Sequence, residues 1–326
     1  PILMWISSDG FSLLELTMAL VLGGIVMLAA ITLFIHTQRV LQTQYALDDI
    51  QQQENWGVGV LTKDLRQINF NTLSRGHISP HVEGSGIIFS QTNLPQSIKQ
   101  NIDAFVTKHA YSEGGTVEKS DQLLIQYQPA YVVTETEQIK PQHIKTSVVG
   151  IDCEGRQIER DEVENESTKM IINRYFIAPD RQQMTEGRES YSLFCESGWY
   201  RSGDSTIHGL NGGGQQLIKG VEAFKIKLGV QNIKGQLTYM GIDQYQTAMA
   251  AQVFDSTQPY RVVSIEVGLL LRSNLPSMSS RQKSVPPHYP LLGQNLVLKK
   301  EQQQHLRRAV SQVVMLRNVQ GQVGHD

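Results

Sequence analysis

The sequence predicts an α+β protein: one long N-terminal helix, apolar in its first half and amphipathic in its second, packed on a mostly antiparallel sheet. Three observations predict it. Residues 11–35 are apolar almost without interruption. A helical repeat of apolar side chains continues from there to residue 68. Beyond residue 70 that period gives way to short stretches in which apolar and polar side chains alternate.

The apolar run reads FSLLELTMALVLGGIVMLAAITLFI, 25 residues with Ser12, Thr17 and Thr32 as mild exceptions and Gly23-Gly24 near its middle. About 20 such residues span a bilayer as a helix. A cleaved secretory signal has a shorter apolar core, of about 7–15 residues, before a small-residue cut site. This run therefore predicts a retained membrane helix. Its one charged residue is Glu15, and the next is Arg39. An acid at the centre of a membrane helix costs roughly 2.5–3.5 kcal/mol, so Glu15 needs a reason and is a candidate functional residue. The plainer reading is that it reaches back to the membrane surface.

Leu41, Tyr45, Ile50, Val58, Leu61, Leu65 and Ile68 recur three to five apart, or at multiples of that spacing, and predict the buried face of the amphipathic half. No proline falls between Pro1 and Pro80. Unbroken from residue 12 to 69, the helix would be roughly 85–90 Å long at about 1.5 Å per residue. Gly57 and Gly59 each weaken it by about 1 kcal/mol relative to alanine. Trp56 is expected to anchor it in the core.

Strands or short apolar runs are predicted at 86–90, 121–128, 170–178, 191–195, 221–230, 261–271 and 312–317. In 221–230, Phe224, Ile226, Leu228 and Val230 alternate with Lys225, Lys227 and Gly229. In 261–271, Val263, Ile265, Val267, Leu269 and Leu271 alternate with Ser264, Glu266 and Gly268. Such alternation suits antiparallel strands with one buried face. Residues 76–86 read as a turn-rich connection, the acid-rich 154–167 as a solvated loop, the proline-rich 274–290 as a mobile loop, and everything after Arg317 as a frayed end.

Net charge is −2 and charged residues make up 18%, which gives no basic bias toward nucleic acid or anionic lipid. No G-x-S-x-G, H-E-x-x-H or Walker loop occurs, so neither an enzyme nor a cofactor is expected. His77 and His81 stand four apart, but Gly76 and Pro80 place them in a loop with only Glu83 nearby, and no metal is expected there. Residues 212–214 read as a turn before the 221 strand. Residues 305–308, HLRR, form a small basic patch that touches phosphates, or lies on a strand start or meets an acidic neighbour. Cys153 and Cys195 are the two cysteines. In an exported domain an isolated pair reads as one disulfide, worth roughly 4 kcal/mol in the chain-entropy picture; two buried thiols are the alternative.

A leader ending in Gly10, then Phe11, then an acid at the fifth position of the apolar run, all within GFSLLEL, resembles a type IV prepilin. The resemblance implies a pilin-like fold, cleavage between Gly10 and Phe11 by a prepilin peptidase, N-methylation of Phe11, and a role for Glu15 in subunit assembly, pairing with the Phe11 amine of a neighbouring subunit. Family leaders are usually basic. This one has no Lys or Arg, carries Asp9 and opens on Pro1, and is read as a truncated or misplaced start.

The stretches LTKDLRQINF (61–70), DQLLIQY (121–127), QLIKGVEAFKIKLG (216–229), RVVSIEVGLLLRS (261–273) and HLRRAVSQVVMLRN (305–318), with the two cysteines, are similar to PilW-type minor pilins over nearly the whole chain. That implies a leader at 1–10, a membrane segment at 11–38, an amphipathic segment at 39–70 and a periplasmic β-rich head at 71–326. The implied place is the inner membrane, single-pass, and then the pilus. The implied partners are other minor pilins, the major pilin, the inner-membrane assembly platform and a tip adhesin. Twitching motility, adhesion and DNA uptake would depend on it indirectly. Two alternatives stand beside this: a J-type minor pseudopilin of a type II secretion system, and a head that itself holds a ligand or DNA through residues 305–308.

Overall fold

The computed structural model describes residues 10, 12–74, 76–129, 132–140, 143–161, 169–180, 189–250, 260–276, 288–299 and 305–319. The chain opens with helix α1 (Leu13–Gln53), passes through one wide π-helical turn (Glu54–Val58) and continues as α2 (Gly59–Leu65). Ser12 starts it. Its hydroxyl accepts from Leu14 N at 3.2 Å, and the Glu15 carboxylate accepts from Ser12 N at 3.1 Å. These reciprocal bonds satisfy amide groups that a helix start leaves open. Asn69 and Asn71, both at positive φ, turn the chain after α2, a conformation asparagine tolerates.

The head holds two main sheets rather than one. β1 (Lys108–Ser112) and β2 (Ser120–Tyr127) open the first. A three-stranded ribbon of β3 (Val132–Lys140), β4 (His143–Ile151) and β5 (Gln157–Asp161) intervenes. Then β6 (Met170–Pro179), β7 (Tyr191–Tyr200) and β8 (Gln215–Ile218) complete the first sheet in the order β1-β2-β6-β7-β8. β9 (Val221–Asn232), β10 (Leu237–Gly241), helix α3 (Ile242–Ala250) and β11 (Tyr260–Pro276) follow. A hairpin of β12 (His288–Leu291) and β13 (Gln294–Val297) leads to β14 (His305–Met315), and the second sheet has the order β10-β9-β11-β14. Every strand pairing among the described residues is antiparallel.

One core joins helix and sheets. Ile50, Leu61, Leu65 and Ile68 pack with Ile125 and Tyr175 of the first sheet and with Phe224, Val267, Leu269 and Val314 of the second. The back of the first sheet is buried too: Leu124 and Ile172 lie under Ile88, Leu94, Ile98 and Ile102, from a segment with almost no regular structure.

Several expectations change. Residues 86–90 form no strand; Ile87 makes only an isolated bridge to Ile125. The acid-rich stretch is not all loop, since β5 runs through Gln157–Asp161. The last strand starts at His305, seven residues before the alternation becomes visible in the sequence. Residues 277–287 and 320–326, and with them most of the proline-rich loop and the end of the chain, lie outside the described residues. Tyr45 is exposed and Ala46 takes its place in the core. Trp56 is 74% exposed. The π-helical turn gives the contact position to Gly57 instead: a Cβ there would lie 2.5 Å from Ile218 Cγ1. Gly57→Val should therefore destabilise the head by about 1–3 kcal/mol through overpacking. Gly59→Ala, where a Cβ meets nothing within 4 Å, should stabilise it by up to about 1 kcal/mol. Denaturant titration of the two variants checks the contrast.

Candidate functional site

The first half of α1 has no cover from the other described residues. Its large apolar side chains from Leu13 to Ile35 are all 44–81% exposed. It is one helix long and apolar enough to cross a membrane. Glu15 lies within this bare stretch, its carboxylate turned back onto Ser12 N as part of the helix cap. Gly10 is exposed just before it; Phe11 lies outside the described residues.

The second half is clamped to the head by polar contacts at both of its ends. Asp49 accepts from Asn274 N at 2.7 Å and Asn274 Nδ2 at 3.0 Å, and Gln53 Nε2 donates to it at 3.1 Å. Glu54 pairs with Arg308 at 3.1 Å. Past the end of α2, Asn69 Oδ1 accepts from Gly86 N, Thr72 Oγ1 and Ser74 Oγ, while Asn69 Nδ2 donates to Asn318 O at 3.1 Å. Asn318 Nδ2 answers by donating to the carbonyls of Arg66 and Ile68, both at 3.1 Å. The INF and LRN stretches, far apart in sequence, therefore meet as one lock. Asn318 is fixed and Val319 packs on the core, against the expectation of a frayed end after Arg317.

Of the basic residues singled out in the sequence, Arg307 turns inward, while Arg308 stays exposed and pairs along the surface. Arg307 makes a two-pronged pair with buried Glu222, which Arg272 also approaches at 3.6 Å. Together with the Arg308–Glu54 pair and His305, whose Nδ1 contacts Ser273 O at 2.8 Å, this engages the 305–308 patch within the chain. Both arginines meet an acidic neighbour, Glu222 and Glu54, and His305 opens β14, so the patch lies at a strand start as well. Residues 212–214 do form a turn, and it has a further use. Buried Glu196 accepts from the amides of Asn211, Gly212 and Gly213 with one oxygen, and from Arg174 at 2.9 Å with the other. His77 and His81 lie in the loop region as expected, and among the described residues no three His, Cys, Asp or Glu side chains are grouped to hold a metal.

Cys153 and Cys195 are bonded, with Cα atoms 6.2 Å apart, ordinary disulfide spacing. The bond pins the turn between β4 and β5 to β7. Around it Glu154 Oε1 accepts from Ser197 N at 2.9 Å, and Arg156 Nη2 donates to Ser197 O at 2.7 Å. Asp64 of α2 was missed in the sequence because its neighbours read as an exposed polar face. It is 7% exposed and accepts from Tyr175 Oη at 3.0 Å; Asn173 Nδ2 in turn donates to Tyr127 Oη at 3.1 Å and lies 3.5 Å from Tyr175 Oη. Burial pushes its carboxyl up to about 6, and Asp152 adds to the rise.

Residues 174–318 match the family model described as Type IV Pilus-assembly protein W, the PilW family. This part of the chain is PilW-like. The PilW-like region begins within β6 and ends at Asn318, so it holds all of the second sheet and the C-terminal half of the Asn69–Asn318 lock. No curated protein matches the chain. Among solved structures, a type IV-like pilin from Thermus thermophilus is similar at 12% identity and a TM-score of 0.35, with 82% of this chain and 96% of that chain covered; an overlap that low bears on neither fold nor function.

Two outcomes are expected. Reducing the Cys153–Cys195 bond should lower stability by about 2–4 kcal/mol, and Cys153→Ser should shift the unfolding midpoint similarly while abolishing its sensitivity to reductant. Asp64 binds its proton more tightly folded than unfolded, so its contribution is complete below about pH 4 and is lost as pH rises to about 6. The loss amounts to about 3 kcal/mol. Asp64→Asn should flatten the stability profile across that window and leave the protein more stable than the parent at pH 8, measured by denaturant unfolding at each pH.

Proposed function

We propose that the chain is a minor pilin that takes part in type IV pilus assembly, within a priming complex or at the pilus tip. The observation that carries this reading is an apolar helix, bare except for one acid, on a chain whose head carries a PilW-like region. Residues 1–10 are a leader, removed between Gly10 and Phe11 by a prepilin peptidase, with Phe11 then N-methylated. Residues 11–38 sit in the inner membrane, 39–70 lead out of it, and the head from 71 onward lies in the periplasm until the subunit enters the fibre.

Glu15 accepts the Phe11 amine of a neighbouring subunit. Two opposite charges together in low dielectric suffer less than either alone, so the pair sets the axial step between packed helices. The partners are other minor pilins, the major pilin, the assembly platform and a tip adhesin. The role is structural, without a reaction of its own. Motility, adhesion and DNA uptake follow from the fibre, which supports contact with nucleic acid only indirectly.

Glu15→Val should remain in the membrane fraction at parental levels yet be absent from sheared fibres and from complexes with other minor pilins. Gly10→Val should keep the mass of the whole segment up to residue 10. Wild-type fibre content from Glu15→Val would contradict the mechanism.

A further inference from the structure

Among the described residues, four that are not glycine have positive φ: Asn69, Asn71, Ala110 at +50° and Leu292 at +49°. Asparagine adopts this conformation readily; alanine does so seldom, and a bulky residue such as leucine is an outlier there. Leu292 lines one cleft, and Ala110 directly follows His109, another residue of its lining. The cleft has about 360 Å³ of free volume and is bounded by β1, β2, β9, the start of α3 and the β12–β13 turn. Local strain persists where the surrounding structure enforces it, and it clusters at functional sites.

Both strained residues shape the cleft wall. At Ala110 the β1–β2 register shifts, and such a bulge re-aims a side chain. Here it brings Ala110 N to 3.1 Å and His109 Nδ1 to 2.9 Å from Asp121 Oδ1. In the β12–β13 turn, Leu292 is pressed onto β11, where a Cβ on Gly268 would lie 2.8 Å from Leu292 Cγ. That contact fixes the turn, whose Leu292, Gly293 and Gln294 line the cleft.

The charges of the cleft are unevenly satisfied. Asp121 is saturated: besides His109 and Ala110 it accepts from Ile226 N at 2.9 Å and has Lys225 Nζ at 3.7 Å. Lys225 is buried and donates to Lys119 O. Asp243 is the other carboxylate in the lining. Lys227 is half-buried in the wall and, among the described residues, makes no ion pair; Glu266 stands opposite it in the β9–β11 register without pairing. With Nδ1 held by Asp121, the outer nitrogen of His109 also has no partner among the described residues.

We propose that this cleft is a binding site for a small ligand bearing an oxyanion, a carboxylate or a phosphate, gripped by Lys227 Nζ and the His109 Nε2–H. The volume is at the low end for ligand sites and suits a molecule the size of a sugar acid or citrate. His109 is held protonated to higher pH than usual, chiefly by its bond to Asp121, which strengthens its grip on an anion near neutrality. The charged groups facing it are Asp121, Lys225 and Asp243; the β12–β13 turn contributes none.

The test is calorimetric titration of the full chain in detergent with inorganic phosphate, citrate and glucuronate at pH 6 and pH 8. Saturable binding of at least one is expected, and the phosphate and carboxylate arms identify the anion; the pH comparison is read on glucuronate, whose own charge is the same at both pH values, and its binding is tighter at pH 6. Lys227→Gln should weaken it at least tenfold. Lys234→Gln, an exposed lysine in the β9–β10 turn, should leave it unchanged. His109→Gln should weaken it and remove the pH dependence. Absence of saturable binding by all three probes, or a Lys227→Gln affinity within twofold of the parent, overturns the proposal. Either result leaves the Glu15 experiment unaffected.

Discussion

A helix that is locked into the head at one end and bare at the other is the constraint on which the rest depends. Fifteen large apolar side chains between Leu13 and Ile35 are exposed. At about 1.5–3 kcal/mol for each one buried, covering them is worth tens of kcal/mol. Against this, a single acid in the membrane costs roughly 2.5–3.5 kcal/mol. The balance is not close, so the segment seeks lipid or other helices whatever Glu15 does. Glu15 therefore does not decide whether the helix inserts. That leaves it free for the register role proposed above.

The head obeys a complementary rule: its buried carboxylates are saturated from within. Glu196 takes three backbone amides and Arg174. Glu222 takes Arg307 with Arg272 close by. Asp121 takes two amides and His109. Breaking one partner of such a set is costly because it strands the other charge. The consequence is functional as well as structural. The two arginines that look like a ligand patch in the sequence already have carboxylate partners within the chain, and a cation without an ion pair among the described residues becomes informative. Asp64 departs from the rule in another way. Burial outweighs its tyrosine donor and the charge of Lys63, and so it carries its proton to higher pH.

The legible parts of the fold were those with a period. The apolar run, the amphipathic continuation, and β2, β6, β9 and β11 all follow from spacing. What the sequence hid had a physical reason in each case. Segment 86–107 buries Ile88, Leu94, Ile98 and Ile102 on the back of the first sheet without forming a strand, so no alternation marks it. Trp56 looks like a core anchor by size, but a widened turn hands the contact to a glycine. Asn69 and Asn318 carry no periodic signal; they matter because side-chain amides can donate and accept across a gap of 249 residues. The bonded cysteines were readable as a pair, whereas the strained turn at Leu292 was not, since leucine is a poor marker of left-handed backbone.

The position of the PilW-like region sharpens what the head requires. It begins at residue 174, after β1 and β2. Yet the lock on the helix needs Asn69 as well as Asn318, and the cleft needs His109 and Asp121 as well as Lys227. The disulfide likewise joins Cys153, outside the region, to Cys195 within it. Each feature is assembled from one partner on either side of that boundary. The second sheet supplies a platform and, through Asn274, Arg308 and Asn318, most of the grip on the helix, while the earlier part of the chain supplies Asn69 to that lock and His109 and Asp121 to the cleft. Variation before residue 174 can therefore change what the head binds and how firmly it holds its helix without disturbing the platform itself.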